Sequence, residues 1–225
     1  MRTRLIIAID GPSGAGKGTV ARGIAARLDY RHVDTGAMYR AVAWKARQDK
    51  IDLADEAAVE ALATRARIEI GDGVVRVDDE DAAAAIRTPE IDAAAAAVAR
   101  LPRVRAILSA RQRAMGADGG IVMEGRDIGT VVFPDAEVKV FLDASPEERA
   151  RRRAHDPHHT ASRTGVAMAD VATALDARDR SDRTRAAAPL VRAGDAVAID
   201  TTELSIDGVI DEIMRLVRQH QRSAE

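Results

Sequence analysis

Nine residues near the N-terminus, Gly11-Pro12-Ser13-Gly14-Ala15-Gly16-Lys17-Gly18-Thr19, have the types and spacing needed to hold a polyphosphate. Glycines let successive backbone N–H groups turn toward one anion without Cβ clashes, and a lysine at this spacing reaches the β- and γ-phosphates. Gly-x4-Gly-Lys-x-Thr arises by chance on the order of a few times in a thousand chains of this length. The competing reading, a flexible glycine-rich turn, therefore carries little weight. One departure stands out: Gly18 separates Lys17 from Thr19, where the general motif puts Ser or Thr directly after lysine. Thr19, with Ser13 as the alternative, is the hydroxyl expected in a magnesium shell supplied mostly by phosphates and water.

Three further constellations could carry chemistry. Arg126-Asp127 taken alone is most simply a surface ion pair, but it follows an apolar strand, where an α/β sheet places its ligands. Asp34-Thr35-Gly36 taken alone is a helix N-cap. Arg178, Asp182 and Arg185 stand at i, i+4 and i+7, one face of a helix, where a solvated charged face is the ordinary reading. The chain has no asparagine, so the Asn-Lys-x-Asp motif that reads guanine is absent. No catalytic base is evident. A phosphate acceptor needs none, because with a second pKa near 6 it arrives ionised and transfer then rests on positioning and charge neutralisation.

The elements that must position these residues alternate. Leu5 to Ile9 reads as a buried parallel strand, and Val20, Ile24 and Leu28 recur at helical spacing behind the glycine loop. A helix is expected over 36–48. Ile68–Ile70 and Val74–Val77 flank Gly71-Asp72-Gly73, a hairpin signal inside an insert between about Leu53 and Arg100. Ile91 to Ala99 is expected helical. Strands are expected at Ile121–Met123 and Val138–Leu142. Ser145-Pro146-Glu147-Glu148 then combines an N-cap, proline at the first helical position and a capping-box glutamate. His155 to Gly165 reads as a loop. A strand over Ala196–Asp200 and a helix with Ile206, Val209, Ile213 and Leu216 on one face close the chain. The pattern predicts a parallel α/β sheet covered on both sides.

Composition bounds the partners. A net charge of -2 and 2% aromatic residues argue against nucleic acid and acidic membranes. The N-terminal apolar run is too short for a signal peptide or a membrane span, so a cytoplasmic protein is expected. With no cysteine there is neither a disulfide frame nor a thiolate metal site. The five histidines are scattered and read as surface or loop residues. Only four of the 34 basic residues are lysine, a bias that GC-rich coding explains as well as phosphate binding does.

The whole chain resembles the bacterial cytidylate kinases, P-loop nucleoside monophosphate kinases in which the Gly-Lys-Gly-Thr form of the loop is typical. The resemblance is carried by Asp10 to Thr19, Asp34-Thr-Gly-Ala-Met-Tyr-Arg40, Ile86-Arg-Thr88, Pro102-Arg-Val-Arg105, Gly125-Arg-Asp-Ile-Gly-Thr130 and Arg178 to Arg185. It implies a core (1–34, 101–151 and 166–225), a monophosphate-binding domain with a small β insert (35–100), and a lid (152–165). It implies ATP and CMP or dCMP as substrates, Mg2+ as cofactor, and CDP or dCDP as product. By matching position, Thr35, Arg40 and Arg126 would grip the CMP phosphate, with Tyr39 lining the site. Asp127 would accept from the cytosine amino group, and Arg105 would donate to the ring acceptors. Arg178 and Asp182 would take the ribose, and Arg185 phosphate near the transferring group. Arg152 and Arg153 lead into the lid; Arg153 is the one expected among the catalytic groups, with Lys17, Arg126 and Arg185. Helix spacing leaves open which others among Arg149, Arg151 and Arg152 act.

Ala96 stands where a hydroxyl residue is expected to touch the cytosine amino group, which puts discrimination against UMP in doubt. The rival readings are a kinase for another monophosphate such as UMP or AMP, and a P-loop ATP-binding regulator without turnover. A monomer is expected, since no long apolar surface stripe is left unassigned.

Overall fold

A computed structural model describes residues 4–71, 73–156 and 167–224. Within the expected hairpin turn Asp72 lies outside the described residues, as does 157–165 of the expected lid.

The core is a five-stranded parallel sheet in the order β2-β6-β1-β7-β8. Its strands are β1 (Ile6–Asp10), β2 (Arg31–Asp34), β6 (Ile121–Gly125), β7 (Val138–Asp143) and β8 (Val197–Asp200). Every residue of β1 and β6 is buried, as an all-parallel sheet with both faces covered requires. Period-two alternation divides β1 between two cores. Leu5, Ile7 and Ile9 meet Val20 and Ile24 of α1 (Lys17–Leu28) and Val209, Ile213 and Val217 of α8 (Ile206–Ala224). Ile6 and Ala8 face Val33, Met123, Ile128 and Phe133 on the other side. Ile7, Ile9 and Ile24 are 0% exposed, positions where truncation to alanine typically costs about 2–5 kcal/mol.

The face of α8 is turned from the one expected. Ile206 is 54% exposed and Leu216 only partly buried, while Val209, Ile210, Ile213 and Val217 are the buried set. A broad core-facing stripe takes i, i+1, i+4 and i+8, so Ile210 and Val217 displace the two ends of the anticipated row.

Between β2 and β6 the chain builds a third apolar cluster, from Ala37 to Leu108. It joins α2 (Thr35–Gln48), α3 (Glu56–Arg65), α4 (Pro89–Val98) and α5 (Pro102–Met115) to a three-stranded sheet. That sheet contains the anticipated hairpin, β3 (Ile68–Gly71) with β4 (Val74–Val77), paired Ile68 to Val77 and Gly71 to Val74. A two-residue β5 (Glu80–Asp81) is added at its edge. The cluster takes in Val104 and Leu108 and so extends past Arg100 into α5.

Helix α6 (Pro146–Ala154) starts where its capping signal predicts: Ser145 Oγ accepts from Glu148 N at 3.2 Å and Pro146 opens the helix. Helix α7 (Met168–Thr184) ends one residue short of Arg185, whose backbone is extended at φ -66°, ψ 142°. The anticipated three-residue helix face is therefore made by two helical residues and a flanking one. Among the described residues no helix is long and apolar enough to cross a membrane.

Candidate active site

The C-terminal ends of four parallel strands meet at one place, because registry aligns Asp10 with Gly125 and Phe141, and Asp34 with Glu124. A cavity of about 1280 Å³ opens there. One wall is the loop from Ser13 to Thr19. Thr35, Tyr39, Arg40, Arg105, Arg126 and Asp127 form another, and Arg153, Arg178, Asp182 and Arg185 complete it. Gly11 and Pro12, which open the loop, are buried and do not line the cavity. At Gly11, with φ 145°, an added Cβ would overlap the Leu142 carbonyl, so only glycine lets the loop leave β1 beside β7.

Lys17 is buried, and its Nζ donates to Pro12 O at 2.6 Å. Burial, helped by the nearby Arg126 guanidinium, pulls its pKa down to about 7. Two other anchors hold the loop. Asp179 accepts from Ser13 N at 3.0 Å and pairs with Arg149, which also donates to Ser13 O at 3.1 Å. Arg153 Nη2 donates to Ser13 Oγ at 3.2 Å, so Ser13 is a lattice point of the loop while Thr19 is left exposed in the cavity. This separates the arginines of α6. Arg149 braces the loop from within. Arg151 pairs with Glu148 at the cavity's edge, and Arg152 donates to Thr201 Oγ1 at 2.8 Å and Thr201 O at 2.6 Å.

The opposite wall is a ladder of alternating charge. Arg105 Nη2 donates to Asp127 Oδ2 at 2.6 Å, and its guanidinium lies 5.4 Å from the Tyr39 ring centroid. Arg185 sits 3.5 Å from Asp127 Oδ1 and donates to Asp182 Oδ1 at 3.1 Å. Arg126 Nε donates to Asp182 Oδ2 at 2.9 Å. Burial opposes ionisation of Asp182, but Arg126, Arg178 and Arg185 outweigh it and hold its pKa below the usual carboxylate range. Arg178 pairs across to Asp92 of α4 at 3.0 Å.

Next to this ladder Asp34 caps α2 through Ala37 N and accepts from Arg40 Nη2 at 2.7 Å. Burial would raise its pKa, yet Arg40, Arg87 and His32 bring it to about 2. Thr35 Oγ1 donates to Glu124 O at 2.7 Å, tying α2 to the end of β6.

Three buried polar groups escaped the sequence reading. His32 is not a surface residue: it is 6% exposed in β2, with Nε2 3.1 Å from Glu124 Oε1. β2 is hydrogen-bonded on one side by β6 and packed over by the insert, which buries a polar strand. Glu124 lines the cavity, and a Cβ at Gly18 would stand 3.0 Å from its Oε1. The signal available was a charged residue closing an apolar strand. Asp10 is the third: its two oxygens accept from Ile128 N at 2.8 Å and Gly129 N at 2.7 Å. Those amides open a π-helical turn, Ile128–Val132, in which Val132 N donates to Asp127 O at 3.2 Å. Burial pushes the Asp10 pKa up to about 6.

Comparison with known proteins adds a family to this geometry. A family model described as Cytidylate kinase matches residues 7–219. The cytidylate kinase of Solibacter usitatus is 47% identical over 215 residues, covering 96% of this chain and 93% of that protein. The cytidylate kinase of Lactiplantibacillus plantarum is 46% identical over 223 residues, 97% of each chain. A bifunctional pantoate ligase/cytidylate kinase of a Synechococcus species is 50% identical over 222 residues, 95% of this chain and 44% of that protein. Among solved structures, a gluconokinase from Sinorhizobium meliloti superposes with a TM-score of 0.52 at 16% identity, covering 100% of this chain and 98% of that one. That likeness speaks for the fold alone.

Proposed function

We infer, because this chain belongs to the cytidylate kinase family, that it transfers the γ-phosphoryl group of ATP to CMP and dCMP, giving ADP with CDP or dCDP. The observation that carries this reading is a single cavity with a phosphate loop on one side and the buried Asp127–Arg105 pair on the other. Asp127 suits the cytosine 4-amino donor, whereas the 4-carbonyl of UMP would meet it lone pair to lone pair. Arg105 donates to the ring acceptors, with Tyr39 beneath its guanidinium. Arg178 and Asp182 hold the ribose.

Transfer itself needs positioning and neutralised charge, not a base. Thr35, Arg40 and Arg126 grip the acceptor phosphate. Arg185, which bridges Asp127 and Asp182, turns toward the transferring group. Lys17 exchanges Pro12 O for the phosphates of ATP, and Arg153 follows them from its place on Ser13. The described residues fit a magnesium ion held chiefly by phosphate and water. Thr19 offers an exposed hard oxygen, Ser13 Oγ is engaged by Arg153, and among the described residues no three His, Asp or Glu side chains are placed to hold a metal ion by themselves. Bound Mg2+ would neutralise charge on the β- and γ-phosphate oxygens. All of these side chains come from one chain, so a monomer acting on free cytoplasmic nucleotides suffices; 152–165 would serve as lid and 35–100 as the acceptor domain.

Steady-state ADP release with ATP, magnesium and CMP, dCMP, UMP or AMP tests the assignment. CMP and dCMP should be preferred. Turnover of UMP equal to CMP would support the second reading, a relaxed pocket, which rests on Ala96 lining the cavity without a hydroxyl. ATP binding with no turnover of any acceptor would sink the kinase assignment.

Lys17 gives a separate check. With its pKa near 7, it is mostly neutral at pH 8 in the free protein, and phosphate contact returns it to the charged form. ATP binding at pH 8 should take up close to one proton, read by calorimetry in buffers of different ionisation enthalpy. No proton uptake beyond that of ATP itself would contradict the proposed contact.

A further inference from the structure

Asp127 occupies the N-cap position of the π-helical turn Ile128–Val132, with φ -146° and ψ 26°, yet its side chain makes no capping bond. Aspartate is among the strongest N-cap residues, so an uncommitted Asp127 would be drawn to the amides of its own turn. Instead its carboxylate faces Arg105 and Arg185. The amides of Ile128 and Gly129 are taken by Asp10, from the end of a different strand, at 2.8 and 2.7 Å. Asp10 is 5% exposed, lies opposite Gly125 in the sheet, and immediately precedes Gly11 of the phosphate loop.

We propose that Asp10 is a positioning residue for acceptor specificity, capping this turn in place of Asp127 and so leaving Asp127 free to read the base. The inference rests on the assignment of CMP as acceptor. Asp10 touches no substrate. It acts through Asp127, and because it also ends the strand that carries the phosphate loop, it fixes the base-reading carboxylate relative to the donor site.

Asp10→Asn is nearly isosteric and keeps one oxygen to accept from an amide. Its nitrogen then faces an N–H, and Asp127 becomes the better cap. The KM for CMP should rise about tenfold and the CMP-over-UMP preference should fall, while KM for ATP stays within about twofold, the loss of one hydrogen bond to a charged acceptor setting the scale. Because both residues act through one carboxylate, Asp10→Asn added to Asp127→Asn should change KM for CMP by less than about twofold further. A crystal structure of the single variant should show the Asp127 carboxylate turned from Arg105 toward the amides of its own turn. If Asp10→Asn proves unfolded by circular dichroism, Asp10→Ser, which offers one uncharged oxygen in place of two, carries the same readouts. An unchanged KM for CMP in a folded Asp10 variant overturns the proposal. So do fully multiplicative effects in the double variant, which would mark Asp10 as merely structural. Failure of the wild type to phosphorylate CMP would appear before any variant is made and would remove the acceptor assignment itself.

Discussion

Lys17→Met should lose on the order of 10³ in kcat, the scale of removing one preorganised charge from a phosphoryl-transfer site, and should melt at a higher temperature than the wild type. Both effects follow from one fact: Lys17 is 6% exposed with a single backbone acceptor, Pro12 O. Methionine matches its stem as far as Cε and removes a buried ammonium whose pKa has fallen to about 7. The Pro12 carbonyl loses its donor, at about 1–3 kcal/mol, so the gain in stability is the surplus over that loss. The sign can be checked against pH. A lysine with a folded pKa below its unfolded value of 10.5 makes the native state bind fewer protons, so its penalty is full below pH 7 and fades as pH rises toward 10.5. The excess in melting temperature should therefore be largest near pH 6 and shrink by pH 10. A drop in kcat of less than tenfold would remove Lys17 from the transfer step. A lower melting temperature at pH 6 would show that burial of the charge is better compensated than its surroundings indicate.

The second large effect is on acceptor choice. Asp127→Asn should reduce kcat/KM for CMP by at least about 100-fold and leave UMP unchanged or improved, since a site built on a buried polar partner rejects a mismatch strongly. An asparagine amide can donate to the 4-carbonyl of UMP, which the carboxylate cannot. The substitution also leaves Arg105 and Arg185 without their shared counter-charge, and breaking a buried pair of this kind costs about 3–5 kcal/mol. ATP affinity must be measured alongside to show that the donor site survives. An unaltered CMP-to-UMP ratio in a folded variant would take base reading away from Asp127.

Where local chemistry decides the structure, the sequence was readable. The strand-loop-helix unit at Ile6–Leu28, the β3–β4 hairpin and the Ser145 cap each follow from residues within one short window. The misses have a common cause in long-range contacts. Strand β2 is Arg31-His32-Val33-Asp34, polar at three of four positions, and becomes a strand because it pairs with β6 and because Glu124 satisfies His32. Helix α5 hides its period under arginines whose partners are remote. Arg103 reaches Glu60, Arg111 the carbonyls of Thr64 and Ala66, and Arg113 those of Val131 and Val132. The π-helical turn depends on Asp10, more than a hundred residues upstream, and no window contains both. Apart from Gly11 and Pro12, the residues expected at the site line one cavity, while several of their supports had not been singled out. The arginines lining the cavity were singled out through family likeness, whereas Glu124, which accepts from Thr35 and meets His32, and Arg149, which with Asp179 anchors Ser13, were given no role by any motif.

The closeness of Gly18 to Glu124 has a meaning for how such chains can diverge. The common phosphate loop carries a hydroxyl residue directly after its lysine, and here that position is pressed against a carboxylate on the neighbouring strand. A side chain at position 18 therefore needs the Glu124 carboxylate to give way by a few tenths of an ångström. An exchange of one loop form for the other would thus be felt at Glu124 and, through it, at His32.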